Sequence, residues 1–423
     1  MILNQEQQEL LDGKKGAAMA KVVKTLKMYG DCFDAEKMVP VTGDHGHLVT
    51  SFGLSVLKPV YEIMDELIAE GVLAKQSFSV DPRPTEKNVP ANFLQNVFFK
   101  VMYSKQNMYE QQLSKLGLMD ESAFTCTCYE TEVGNQPRFG DVLSWAESSA
   151  VVYANSVLGA RCNRNSGIIE LFGSIAGFVP YFGLLTDEGR KADWIIEVDT
   201  TSKPEAQVLG SAIGMKVLED VPYIKGLDKW LGTELNDAVC DYLKDMGAAT
   251  ASNGAVGLYH VENLTPEAKA QREELVKEGA AVYRIDDAKL ARIQANYPVI
   301  WKDPAAEPKM CFIGCPHLSS LQLKEWTNSI CDMLKQHGQK KVAIPTVFTA
   351  SPKVAEKFRK TSEYQSLANA GIVLSSICPL MYMNNPLCGK MPVITNSNKL
   401  RTYTTARYYR DEEILEKLTK GGV

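Results

Sequence analysis

The chain holds 423 residues with a formal net charge of -5, 45% of them hydrophobic and 23% charged. A mildly acidic chain without a basic arm offers no electrostatic footprint for nucleic acid. Its apolar runs are far shorter than the roughly 20 residues of a membrane span, and the start Met1-Ile-Leu-Asn-Gln-Glu lacks the basic and apolar parts of a signal peptide. The expectation is a cytoplasmic chain of about two or three domains, with no membrane partner.

In chain order, Asn4 caps a short helix that stops at Gly13, and a second helix covers 14–29 and ends at Gly30. Residues 39–49 read as a strand running into a loop, and 54–70 as an amphipathic helix closed by Gly71. Residues 141–159 read as a buried helix capped by Asp141. From 193 onward strands and helices alternate: strands at 193–198, 254–261 and 280–285, with Thr265 and Pro266 opening a helix. The end is a βαβαβ run. Strands at 309–314, 341–348 and 372–376 enclose a helix with a Ser319–Gln322 capping box and one opened by Ser351-Pro352. Right-handed crossovers make these three strands parallel. The predicted division is a helix-rich region 1–192, an α/β domain 193–305 and an α/β domain 306–423, with parallel or mixed sheets covered by helices.

Ten cysteines occur. In a reducing compartment they point to metal or catalysis rather than disulfides. Cys32, Cys162, Cys240 and Cys331 read as small buried hydrophobes, the last two within helices. Ligands of open parallel sheets bind beyond the carboxyl ends of the strands. Cys315 and Cys378 each follow such a strand, so topology alone brings them to one sheet edge. A third candidate lies in Phe124-Thr-Cys-Thr-Cys-Tyr129, where Cys126 and Cys128 compete. Three thiolates, rather than four, leave one iron of a cluster open as a Lewis acid. Dehydration requires that help because hydroxide leaves poorly, and it also requires a base for the carbon-bound proton. Glu147 and Asn155 share one face of the 141–159 helix and must be hydrogen-bonded if buried. Arg161 and Arg164 follow it and suit a carboxylate or phosphate.

These segments resemble the aconitase X family. The run Trp145-Ala-Glu-Ser-Ser-Ala-Val-Val-Tyr-Ala-Asn-Ser-Val-Leu-Gly-Ala-Arg-Cys-Asn-Arg164 is the most specific match. Gly314-Cys-Pro-His-Leu-Ser319 with Glu325, Cys378 in an apolar stretch, and Asn396-Ser-Asn-Lys399 follow in order. The resemblance implies an aconitase-like multi-domain α/β fold with a [4Fe-4S] or [2Fe-2S] cluster at a central cleft, held by Cys126, Cys315 and Cys378. It implies a hydro-lyase acting on cis-3-hydroxy-L-proline to give Δ1-pyrroline-2-carboxylate, or else on mevalonate 5-phosphate. It also implies a separate small swivelling-domain subunit that carries a serine base. Arg161 and Lys399 would then hold the substrate's acid group, with Asn155, Arg164, Asn396 and Ser397 as further contacts. Glu147, His45, His317 and Ser397 are candidates for proton transfer or support. A phosphate would call on Arg161, Arg164, Lys399 and Arg401 together. Cys128 stands where the family has proline, Cys162 where threonine is common, and Asn398 where it has glycine. Segments 42–47 and 77–84 match the family's pocket-lining stretches loosely. A non-catalytic metal-binding or redox-sensing protein is the reading outside catalysis.

Overall fold

The computed structural model describes residues 1–420. Its largest sheet has five strands in the order Ile372–Ser375, Thr346–Thr349, Met310–Ile313, Val393–Thr395 and Arg407–Tyr408, every pair parallel. A second, four-stranded sheet orders His260–Val261, Pro222–Lys225, Ala192–Asp199 and Val276–Asp286, again all parallel. Helices cover both sheets, so the chain is an α/β protein with parallel sheets. The regular structure of the first part is mostly helical. Its strands form two small pairs: Met38–Pro40 antiparallel with Phe178–Pro180, and Gly46–Leu48 parallel with Phe78–Val80. Among the described residues no helix is long and apolar enough to cross a membrane. All ten cysteines are free.

The expected parallel strands at the chain's end are present. Several local expectations are corrected. The helix placed at 141–159 is only Ser148–Ser156, and Glu147 rather than Asp141 caps it by accepting from Ala150 N. Asp141 instead accepts from Arg138 N at 2.8 Å and Thr42 Oγ1 at 3.1 Å. Residues Val142 and Trp145 bridge to Arg161 and His47, so this stretch is extended pairing rather than helix. The strand expected at 254–261 shrinks to His260–Val261. Gly257 there lies against Arg164 and Leu184, where a Cβ would come within 3.0 Å of both. Helix Ala17–Cys32 runs through Gly30, because that glycine makes room for Pro180 rather than ending the helix. A helix restart capped by Thr361 splits the last crossover into Pro352–Phe358 and Ser362–Asn369. Cys162 is buried, whereas Cys240 and Cys331 are only partly so and Cys32 is exposed.

The first part and the four-stranded sheet are tied by a buried ion pair. Arg190 meets both oxygens of Glu267 at 2.7 and 2.8 Å and also donates to Leu184 O and Asn155 O. Both side chains are almost fully enclosed, 1% and 4% exposed. Removing one partner strands a charge in a low-dielectric site. Arg190→Ala is therefore expected to cost about 3–5 kcal/mol in denaturant unfolding. The double variant Arg190→Met with Glu267→Leu should recover most of that loss.

Candidate active site

Three loops meet at the carboxyl edge of the five-stranded sheet. Cys315 lies just beyond Met310–Ile313 and Cys378 beyond Ile372–Ser375, with Thr346–Thr349 between the two strands. Cys126 arrives from the first part on a loop anchored by Thr125 N donating to Val80 O at 2.7 Å. All three cysteines line one cavity of about 670 Å³, together with Asp81, Glu147, Arg164, His317 and Lys399. Cys128 is fully buried and does not line it.

His317 joins the three loops. Its backbone N–H points to Cys126 Sγ at 3.4 Å, Nδ1 lies 3.0 Å from Thr125 Oγ1, and Nε2 lies 3.2 Å from Ile377 O. A carbonyl only accepts, so Nε2 carries the proton and Nδ1 accepts from Thr125. Burial pushes the imidazole down to about 4, keeping it neutral.

Glu147 occupies a positive-φ conformation, φ 117°, that non-glycine residues rarely adopt. That backbone turns its carboxylate toward Ser149 Oγ at 2.7 Å, Ala150 N at 2.6 Å and the Lys399 ammonium. Burial acts to raise the carboxyl, but Lys399 and these donors bring it down to about 2. Burial acts to lower the Lys399 ammonium, while Glu147 and the Cys315 and Cys126 thiols push it up. Burial, then Cys315, pushes the Cys378 thiol up to about 12. Burial, then Glu147, raises Cys126. A cation bound among these thiols would reverse that tendency and make them thiolates.

The donor set fits an iron–sulfur cluster. It consists of three thiols from three loops, converging on one cavity edge beside a fixed ammonium. Among the described residues no group of three or more His, Cys, Asp or Glu side chains closes on a point for one ion. A cluster does not require that, since its thiolates are shared among several irons.

The expected site residues divide. Cys126, Cys315, Cys378, Glu147, Arg164, His317 and Lys399 line the cavity. The other expected contacts face elsewhere. His45 Nδ1 pairs with Ser77 Oγ at 2.7 Å. Asn155 is held by Cys162 N and O and by Gly257 O. Arg161 turns to Leu185 O at 2.8 Å and Asp187 at 2.5 Å. Asn396 donates to Asp411 at 2.9 Å. Ser397 caps Leu400 N and donates to Cys315 O, so it braces a cysteine loop from behind. Arg401 donates to Asn398 and stacks on Tyr297. Sequence reading missed Asp81, Asn163, Asn165 and the aromatic wall of Tyr29, Phe33 and Phe182, whose last two rings stack at 4.8 Å.

With the geometry in place, comparison with known proteins is decisive about class. Family models for the first, second and third domains of aconitase X match residues 1–188, 192–295 and 308–417. The chain belongs to the aconitase X family and is a hydro-lyase. It is 33% identical over 353 residues to the phosphomevalonate dehydratase large subunit of Thermococcus kodakarensis, covering 83% of this chain and 81% of that one. The phosphomevalonate dehydratase large subunit of Methanocaldococcus jannaschii is 30% identical over 439 residues, covering 100% of both. The cis-3-hydroxy-L-proline dehydratase of Hypocrea jecorina is 28% identical over 233 residues, covering 52% of this chain and 36% of that protein. A crystal structure of Thermococcus kodakaraensis aconitase X in its holo-form superposes with a TM-score of 0.80 at 28% identity, covering 99% of this chain and 100% of that one.

Two outcomes follow. His317→Ala removes the tie between loops. In metal-free protein the Cys126, Cys315 and Cys378 thiols should then react with a maleimide at least several-fold faster, while Cys128 stays slow. Glu170, behind the cavity wall, accepts from Ser144 and Asn165, and burial raises its carboxyl from 4.5 to about 8. The folded chain holds this proton more tightly than the unfolded one. Its stabilising contribution is therefore whole below pH 4.5 and is lost as pH rises toward 8. Glu170→Gln does not titrate, so it should gain on the wild type across that window by at most about 1.4 kcal/mol per pH unit. Urea midpoints at the two ends of the window measure it.

Proposed function

We propose that the chain is the cluster-bearing large subunit of a dehydratase acting on mevalonate 5-phosphate, in the cytoplasm and together with a small subunit. The observation that carries this reading is the match over 100% of both chains with a phosphomevalonate dehydratase large subunit. The cis-3-hydroxy-L-proline reading, which motif resemblance favoured, is weaker. Those relatives are matched over 36% and 47% of their length. The name "large subunit" borne by the nearer relatives supports a separate small partner.

The cavity supports the same substrate. Mevalonate 5-phosphate carries a carboxylate at one end and a phosphate at the other. Arg164 lines the cavity and has no carboxylate or carbonyl partner among the described residues, so its planar fork is free for an oxyanion. Of the other cations expected to gather on a phosphate, Arg161 and Arg401 are engaged outside the cavity. Arg164 and Lys399 are what this chain offers, and further cations fall to the small subunit.

Cys126, Cys315 and Cys378 would hold the cluster, which when bound supplies an open iron as a Lewis acid toward a substrate oxygen. His317 fixes the spacing of their loops. Lys399 and Glu147 form a preorganised ion pair beside the thiols that needs no rearrangement when substrate enters. Phe33, Phe52 and Phe182 give the cavity an apolar, aromatic wall.

The test is turnover by the anaerobically assembled two-subunit enzyme, with mevalonate 5-phosphate and cis-3-hydroxy-L-proline offered side by side. Turnover of the phosphorylated acid is expected, with little of the imino acid; the opposite preference overturns the reading. Arg164→Gln should raise KM for mevalonate 5-phosphate about tenfold or more, in keeping with roughly 1.5–3 kcal/mol for a hydrogen bond to a charged group.

A further inference from the structure

Asp81 is a cavity carboxyl without a hydrogen-bond partner. It follows strand Phe78–Val80, and its backbone N–H donates to Leu48 O at 2.9 Å. Among the described residues no hydrogen bond reaches its side chain, and Oδ1 is buried and unsatisfied. His47 Nε2 stands 3.3 Å from that oxygen and is itself unsatisfied. The imidazole is held from behind, with Nδ1 2.9 Å from Ser79 Oγ and the ring edge-on to Trp145 at 5.8 Å. A buried polar pair left so loosely joined is costly as mere scaffolding. It suits a pair that tightens around a third group, as catalytic hydrogen bonds often do when substrate arrives.

The cavity gives its two carboxyls unequal company. Glu147 takes the Lys399 ammonium, Ser149 Oγ and Ala150 N. Asp81 has no cation of its own. Burial pushes His47 down to about 4, so it is a neutral neighbour. Burial first, then the Glu147 charge, raises the Asp81 carboxyl well above its ordinary range. One cavity thus holds a carboxyl that its partners push down and another that burial pushes up. A cavity carboxyl whose surroundings favour its proton, and which no donor or cation holds, suits the acid role.

We propose that Asp81, oriented by His47, is the acid that protonates the departing hydroxyl. The Asp81 O–H bond breaks and its proton joins the leaving oxygen as the C–O bond breaks, releasing water. The electron pair of the neighbouring C–H bond becomes the second bond of the alkene. The carbon-bound proton goes to the base that the small subunit is expected to bring, since Glu147 is held by Lys399, Ser149 and Ala150. That base gives its proton to solvent and Asp81 takes one back, so substrate yields alkene and water with no net proton change.

The test compares Asp81→Asn with wild type in the assembled holoenzyme, on the hydroxy acid it turns over and on that acid's β-fluoro analogue. Fluoride departs as an anion and does not need the proton. The proposal expects a fall in kcat of about 10²–10⁴ on the hydroxy acid, the usual scale of acid catalysis, with KM changed little. On the fluoro analogue the fall should be less than about tenfold. His47→Gln should show the same split at smaller size, which keeps the test available if Asp81→Asn fails to fold. Equal losses on both substrates, or an unchanged kcat on the hydroxy acid, overturn it. The substrate reading fails separately: an enzyme that turns over only cis-3-hydroxy-L-proline leaves this comparison intact, with 3-fluoroproline as the analogue.

Discussion

One neutral imidazole holds the site together. Each candidate cluster ligand sits on a loop, and loops are the most mobile parts of a fold unless something fixes them. His317 touches the Cys126 loop through Thr125, belongs to the Cys315 loop itself, and reaches the Cys378 loop at Ile377 O. The tie works only with one fixed tautomer, which requires the ring to stay uncharged, and burial ensures that. The backbone carbonyl of His317 accepts in turn from Lys244, a buried ammonium held by Asp241 and Gln322. The knot is thereby fastened to helix Asp237–Asn253 and to the capped start of helix Ser320–Gln336.

A second restraint acts across the chain. The segment after Asp81 straps the Cys378 loop from outside. Arg83 O accepts from Cys378 N at 2.8 Å, Glu86 accepts from Ser375 Oγ at 2.7 Å, and Asn88 donates to Leu374 O at 2.9 Å. The residues that carry Asp81 and those that carry Cys378 are therefore one mechanical unit, although they lie far apart in sequence. Acid, thiols and ion pair keep their mutual positions because of this strap and of His317, not because of any one element.

What could be read in the sequence is what depends on local pattern and strand polarity. Cys315 and Cys378 were found from strand order alone, since parallel strands send their carboxyl ends to one edge. Glu147 is legible in the polar run 141–161 and Arg164 just after it, and Lys399 in the motif resemblance. Arg161, Asn396, Ser397 and Asn155 turn to Asp187, Asp411, Cys315 O and Gly257 O, partners set by tertiary packing that no spacing reveals. The choice between Cys126 and Cys128 depends on which way a loop turns, and the cap at Asp141 was mimicked by a residue that serves a turn instead. Asp81 and His47 escaped because their meaning arises only from what fails to bond to them.

The convergence of Cys126, Cys315 and Cys378, with Cys128 excluded, is tested most directly by iron and acid-labile sulfide analysis of anaerobically prepared protein. Wild type is compared with Cys126→Ser, Cys128→Ser, Cys315→Ser and Cys378→Ser, each shown to be folded. Iron and sulfide should be present in wild type and in Cys128→Ser and depleted in the other three. Loss in Cys128→Ser with retention in Cys126→Ser, or a wild type that holds no iron after reconstitution, contradicts the site described here.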